Sequence, residues 1–364
     1  MPAQTAVPAM LMRGGSSKGL FFALSDLPAD ENVRNRVLLA AMGSPDTRQI
    51  DGAGGAHPLT SKVGMVAPSE QPGVDLEFLF AQLQPSNDTV DTRPNCGNML
   101  AAVVPFALEK GMIQAQPGET TVRVLTLNTG MLSDITVQTP DGIIQYEGQA
   151  KIDGVPGTSA PIRIRFLDTE GSVAGSLLPT GNACDVFDIE GFGALEATCI
   201  DNGMPMVLVR AADLGRSAYE SVADLNADTE LKTTLEKLRL AAALKMGLGD
   251  VSAKNYPKMC LLNAPLHGGA VHTRCFIPHV CHEAVGVLAA VTIATACVMP
   301  ESVAAGLAVT PDLSALSIEH PSGEFSVALE TDPQGKVQGA ALIRTARNIM
   351  RGEVMIPSSV WNGS

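Results

Sequence analysis

Chemistry in this chain is best sought at Pro94-Asn95-Cys96-Gly97-Asn98, a cysteine directly ahead of an apolar run that reads as a helix. A thiol at a helix N-terminus meets the positive end of the dipole and unpaired backbone N–H groups. Both favour a thiolate, and both favour a bound carboxylate or enolate. A generic cysteine is simply a small packing residue, but the polar Asn-Cys-Gly-Asn setting argues for function here. The second candidate is Lys62 in Leu59-Thr60-Ser61-Lys62-Val63, behind the glycine-rich Ile50-Asp51-Gly52-Ala53-Gly54-Gly55. Held between Ser61 and the apolar Val63–Val66, its amine would be partly desolvated and usable as a base. Taken alone, it fits better a strand-edge lysine with its head in water.

Two further stretches suggest anion binding. Met12-Arg13-Gly14-Gly15-Ser16-Ser17-Lys18-Gly19 tempts a phosphate-loop reading, but Gly19 follows Lys18 where Ser or Thr is required, and Gly52–Gly55 does not complete G-x-G-x-x-G. A nucleotide site is therefore not expected. The Gly-Ser loop, with Ser16 and Ser17 between Arg13 and Lys18, could still hold a carboxylate. In Thr273–His282, the residues Cys275, His279, Cys281 and His282 invite a zinc reading. Their spacing matches no paired-ligand pattern, so no metal is expected. Arg274 and His279 read better as anion-binding groups at the mouth of a second buried helix, and His282 as a capping or packing residue. No G-x-S-x-G elbow is present. Residue chemistry alone thus points to a cofactor-free site between two buried-helix mouths, moving a proton on a polycarboxylate.

Those residues need elements to hold them. The chain has 364 residues, 45% hydrophobic and 17% charged, which supports a sizeable core in two ordinary domains or one large one and excludes general disorder. The 25 Lys and Arg against 38 Asp and Glu give a net charge of −13, which repels nucleic acid and anionic lipid. Aromatics at 4% offer no base-stacking platform. The seven cysteines are scattered and no secretory apolar region precedes Arg13, so a cytoplasmic protein with reduced thiols is expected. No apolar run is long enough for a membrane span.

Strands are expected at Val74–Leu83, Thr121–Leu127, Ile135–Thr139, Ile143–Tyr146, Ile162–Leu167, Ala197–Ile200, Met206–Val209, Phe325–Leu329 and Ala340–Ile343. Asp141-Gly142 reads as a hairpin turn. Thr229–Met246 forms a surface helix, with Leu231, Leu235, Leu238 and Ala242 along one face and Gly247 as its stop. Asn98–Lys110 and His282–Val298 are apolar on nearly every side, so each should be a central helix wrapped by strands, with Pro105 kinking the first. The expected domains are 1–180 and 181–345. Residues 346–364 form a C-terminal segment for which packing back on the first domain is one option. No exact internal sequence repeat is visible.

Met12–Gly19, Ile50–Gly55, Thr60–Val63, Pro94–Asn98, Pro179–Asn182 and His320-Pro321-Ser322-Gly323 together resemble the motif series of the PrpF family, the methylaconitate isomerases. The resemblance covers nearly the whole chain. It implies an α/β (α+β) fold of the diaminopimelate-epimerase-like kind, two similar domains each with a strand-wrapped central helix. Cys199–Pro205, Pro257–Leu262 and Thr273–His282 are more similar to the family's 4-oxalomesaconate tautomerases (Δ-isomerases). The family's acid/base pair carries over onto Lys62 and Cys96. The resemblance further implies substrate contacts from Arg13, Ser16, Ser17, Lys18, Ser61, Asn95, Gly97, Asn98, Lys258, Arg274, His279 and Ser322. Epimerases of this fold place a second cysteine at the mouth of the second helix. Glu283-Ala284-Val285-Gly286 has none, which argues for an allylic isomerase rather than a two-thiol racemase.

The implied reaction is a cofactor-independent 1,3-proton shift on an unsaturated tricarboxylic keto acid in aromatic-compound catabolism, in a cleft between domains. Charge developing on the dienolate would be stabilised by Arg13, Arg274, Ser17 and the helix N-termini. The alternatives are 2-methylaconitate cis-trans isomerisation and a non-catalytic carboxylate-binding protein of the same fold. Neither nucleic acid nor membrane is expected as a partner, and a homo-oligomer is left open.

Overall fold

The computed structural model describes residues 4–333 and 337–363; the first three residues of the start read above for a secretion signal lie outside them. The chain forms two compact units, residues 1–167 with 344–364 and residues 168–343. The division falls after Leu167, ahead of the turn-rich Leu178–Asn182 where the sequence suggested it. Asp168 begins the second unit because the Thr169–Ala174 segment is bound into it. There Gly171 N–H donates to the Asp201 carbonyl (2.8 Å), and the Asp201 carboxylate accepts from Val173 and Ala174 N–H (2.8 and 2.7 Å).

In the first unit the strands are β1 (Gln4–Gly14), β2 (Ser17–Ala23), β3 (Lys62–Pro68), β4 (Leu76–Leu83), the short β5 (Val90–Asp91), β6 (Gly118–Thr126), β7 (Met131–Thr139) and β8 (Ile162–Phe166). β1 and β2 pair antiparallel, β2 and β3 parallel, β3 and β4 antiparallel, β4 and β6 parallel, then β7 and β8 follow antiparallel. Helix α1 (Glu31–Met42) crosses from β2 to β3, and helices α2 (Gly97–Leu100) and α3 (Val103–Lys110) cross from β4 to β6.

The second unit holds β9 (Asp185–Ile189), β10 (Gly193–Asp201), β11 (Pro205–Arg210), β12 (Lys258–Asn263), β13 (Val271–Phe276), β14 (Leu316–His320), β15 (Gly323–Thr331) and β16 (Val337–Arg344), with helices α4 (Val222–Ala227), α5 (Thr229–Lys245) and α6 (Val287–Cys297). From β10 onward the pairings run antiparallel, parallel, antiparallel, parallel, antiparallel, antiparallel. That order repeats the first unit, so the chain contains one topology twice without matching sequence. The last strand, β17 (Ala346–Pro357), pairs antiparallel with the full length of β1 in the first unit.

The expected central helices are both buried but shorter than read. α6 begins at Val287 with Gly286 as N-cap, not at His282, and everything from Ala289 to Cys297 is buried. Val291 and Ile293 there gain about 1.5–3 kcal/mol each from burial. Its threonines are tolerated because Thr292 and Thr295 donate back to the Leu288 and Val291 carbonyls (2.9 Å each). The first helix is broken at Ala101–Ala102. Pro105 has no N–H to give the Ala101 carbonyl and its ring crowds that group, so α2 and α3 separate four residues earlier. α2 packs on β1 and β2, α3 on β3, β7 and β17, and α6 on β10, β11, β14 and β15.

α5 carries the predicted stripe, Leu231, Leu235, Leu238 and Ala242, all buried. Ile143–Tyr146 is irregular rather than a strand: Gly142 closes the turn onto Thr139, but Ile143 is exposed and finds no apolar face to cover. α1, α4 and β1 were not read from sequence. Pro8 hid β1, since proline is rare inside a paired strand, although Asp30 as N-cap and Gly43 as left-handed C-cap mark α1 clearly. Among the described residues no helix is long and apolar enough to cross a membrane.

Candidate active site

Cys96 is the N-cap residue of α2, extended at φ −138° and ψ 97°, and its carbonyl accepts from Leu100 N–H (2.9 Å). Among the described residues no side chain caps α2, which leaves its leading N–H groups open. Asn95 Oδ1 accepts from Cys96 N–H (2.7 Å), and Asn98 Nδ2 donates to Ser16 Oγ (3.1 Å). The Gly14-Gly15 turn lies hard against that helix end. A Cβ on either glycine would collide with Asn98, and Gly15 has φ +52°, so only glycine serves. Of the seven cysteines, Cys96 and Cys184 are half-buried and the rest buried. Burial pushes the Cys199, Cys281 and Cys297 thiols up to about 12, where they are inert.

Lys62 opens β3 and is only 7% exposed. Its Nζ donates to Gln82 Oε1 on the neighbouring β4 and sits 5.1 Å from the Phe80 ring centroid. Register fixes its face. Phe21 pairs with Gly64 and lies against Phe106 of α3 at 5.7 Å between centroids, so Gly64 and Lys62, two residues apart, face the α2–α3 side. Gly19 pairs with Lys62, and a Cβ there would collide with the Lys62 carbonyl and lie 2.9 Å from Met99 Cε of α2. Ser17, two residues before Gly19, shares that face. It is 1% exposed, and among the described residues its hydroxyl has no hydrogen-bond partner. Lys62, Ser17 and the mouth of α2 thus share one side of the sheet.

Arg13 and Lys18 do not join them. Gly14 faces Asn98, so Arg13 points to the opposite side of β1, and Lys18, its cross-strand partner, goes with it. Arg13 Nη1 donates to the Gly15 carbonyl (2.9 Å) and to Thr345 O and Oγ1 (3.1 and 2.8 Å), and Nη2 to Ser159 Oγ (3.3 Å). It anchors the glycine turn from behind. Ser61 is buried with its hydroxyl shared between Gln49 Oε1 and the His57 carbonyl (2.8 Å each). It fixes the loop that delivers Lys62.

In the second unit Lys258 takes the place Lys62 has in the first. Each opens the strand that pairs parallel with the preceding one, and each points to its unit's central helix. Lys258 shares a face with Cys260 and Leu262, which pack against α6. A Cβ on Gly286 would sit 3.8 Å from its Nζ. Burial lowers the Lys258 pKa, and among the described residues no carboxylate pairs with it. Arg274 is elsewhere. It alternates with Cys275 on β13 and so faces away from α6, with Nε donating to the Glu220 carbonyl (3.1 Å) and Nη1 to His272 Nε2 (2.6 Å). His272 Nδ1 in turn meets Glu319 Oε2 at 2.8 Å, and the Glu319 carboxylate also accepts from Leu266, His267 and Gly269 N–H. His279 is exposed, with Nδ1 3.5 Å from Glu236 Oε2 on α5. Ser322 Oγ donates to the Glu283 carbonyl (2.6 Å) and steadies the segment before α6. Cys275 Sγ lies 3.2 Å from Cys260 Sγ, so Cys275 and His279 do not converge.

Gln82 and Phe80 were missed by residue reasoning. Both sit in the alternating Leu76–Leu83 strand, where nothing local marks them as lysine partners.

Residues 4–357 match the family model described as PrpF protein. The chain is 51% identical over 362 residues to the 4-oxalomesaconate tautomerase of Pseudomonas putida, covering 99% of both chains. It is 52% identical over 353 residues to the (4E)-oxalomesaconate Delta-isomerase of Novosphingobium sp. strain KA1, covering 96% of this chain and 98% of the other. The crystal structure of methylitaconate-delta-isomerase superposes with a TM-score of 0.86 at 34% identity, covering 100% of this chain and 98% of that one.

Proposed function

The chain belongs to the PrpF protein family, and on that premise we propose that it is a 4-oxalomesaconate tautomerase (Δ-isomerase), an isomerase that shifts a C=C bond by moving one proton. The observation that carries the chemistry is a buried Lys62, with no carboxylate partner among the described residues, on the same side of the sheet as the α2 mouth where Cys96 is the N-cap residue. Lys62 and Cys96 act as the acid/base pair. One removes a proton from a carbon conjugated with the carbonyl, the electron pair spreads into a dienolate, and the other returns a proton to the distal carbon. No group is consumed, so no cofactor is needed for balance.

The carboxylates of the tricarboxylic substrate are met by hydrogen-bond donors left open in the fold. These are the Ser17 hydroxyl and the leading N–H groups of α2 at Gly97 and Asn98. Ser16, Asn95 and Ser61 position the segments around them. Arg13 and Arg274 act through the scaffold rather than on the substrate. An enzyme working through a free thiol belongs in a reducing compartment such as the cytoplasm.

The test is turnover of 4-oxalomesaconate beside 2-methylaconitate in deuterated solvent. Preferential turnover of 4-oxalomesaconate with deuterium at the new C–H position is expected. Faster conversion of 2-methylaconitate would reassign the substrate, and binding without exchange at any carbon would make the protein a carboxylate binder.

A further inference from the structure

Lys62 is held by a partner that no motif identifies. Gln82 Nε2 donates to three backbone carbonyls, Leu83 at 2.8 Å, Pro58 at 3.0 Å and Ser61 at 3.3 Å. With the NH2 end fixed by three acceptors, the amide cannot flip, and Oε1 must face the lysine. Nζ donates to that oxygen and rests over the Phe80 ring. The Pro58 and Ser61 carbonyls belong to the segment that leads into Lys62, so one amide ties the delivery loop, β4 and the amine together.

We propose that Gln82 is the positioning residue of Lys62, a neutral acceptor that aims the amine without holding its proton as a carboxylate would. This rests on the acid/base reading of Lys62 above. A lysine paired with Asp or Glu must break an ion pair to give up its proton, whereas an amide oxygen and a ring face orient the ammonium with no opposite charge to separate. The titratable groups on the surrounding elements leave that arrangement intact. Asp91 of β5, which pairs with Gln82, spends its carboxylate on Arg93 (2.8 and 3.0 Å). His57, ahead of the loop, accepts from Leu59 N–H through Nδ1 (3.1 Å). Cys96 is at the α2 mouth, β2 presents glycine beside Lys62, and α2 presents Met99.

Gln82→Glu and Gln82→Met separate aim from charge. Gln82→Glu keeps an acceptor but makes it anionic. Its pH–rate profile should move to higher pH by about one unit, which at the parental midpoint is roughly fivefold lower turnover where Lys62 is the base and roughly twofold higher where it is the acid. Gln82→Met removes the acceptor and should lower kcat about tenfold to a hundredfold while KM changes little. Thermal unfolding of each variant shows whether it is folded, and if Gln82→Glu is not, Gln82→Met decides. Parental kcat and an unmoved profile in folded variants would overturn the proposal. So would a Gln82→Met defect confined to KM. The pH dependence of Lys62 acylation by a small amine reagent, read by peptide mass spectrometry, follows the same amine without substrate. A shifted acylation profile in Gln82→Glu supports the positioning role even if 4-oxalomesaconate proves not to be the substrate, so the two failures are distinguishable.

Discussion

At the scale of single residues, the two acid/base groups sit in different settings, and that difference makes them separable. Lys62 is buried and held by an amide, while Cys96 is half-buried and, among the described residues, held through its backbone. Lys62→Ala and Cys96→Ser should each lower turnover about a hundredfold to ten-thousandfold. The variant lacking the proton-returning group should still exchange the substrate proton with deuterated solvent, and the variant lacking the base should not. Near-parental turnover in either would remove that residue from the mechanism. Glu319 carries a different prediction. Burial raises its pKa, but the His272 hydrogen bond and the N–H groups of Leu266, Gly269 and His267 outweigh it, so the folded value lies below the ordinary 4.5. A depressed carboxyl stabilises the fold above its unfolded value and loses that contribution as pH falls through the folded one. Glu319→Gln should therefore lose stability at pH 7 and show a shallower acid decline in urea unfolding. An acid limb identical to the parent's would count against this assignment.

Among the elements, close approach of β2, β3 and α2 builds the site. Gly19 makes it possible, because any side chain there would push into the Lys62 carbonyl and Met99 at once. One of those neighbours is backbone, so the collision cannot be relieved by a rotamer change. Gly19→Ala should cost about 1–3 kcal/mol of stability and should lower turnover more than Gly64→Ala, whose added methyl meets the Phe21 ring instead. Melting temperature and kcat measured together check this, and an active Gly19→Ala of parental stability would contradict it. The break between α2 and α3 has a related consequence. It gives Cys96 a short helical turn of its own, set by Pro105 several residues downstream.

For the whole molecule, the C-terminus is structural. β17 covers β1 from Gln4 to Gly14, and Thr345, just before it, receives Arg13 and the Gly15 N–H. Deleting residues 346–364 leaves β1 as an open edge and exposes the core beneath Ile356. Limited proteolysis of that truncation should begin within residues 4–167, with loss of all turnover. Cleavage confined to residues 168–343 would show that β17 is dispensable to the first unit.

Much of this was legible in the sequence because it depends on near neighbours. The α5 stripe, the two all-apolar helices and the placing of Cys96 and Lys62 at element boundaries follow from periodicity and helix-end chemistry within a turn or two. Whether Arg13 or Ser17 faces the α2 mouth was not legible, because strand neighbours point to opposite sides and only the register against β3 and α2 selects one. Tertiary structure alone also moved Arg274 away from α6, gave Lys62 its partner on β4, and returned β17 to β1. The repeated topology of the two units is invisible as sequence for the same reason. Local propensity needs only the right kind of residue at each position, whereas partners and faces are decided when distant strands pack together.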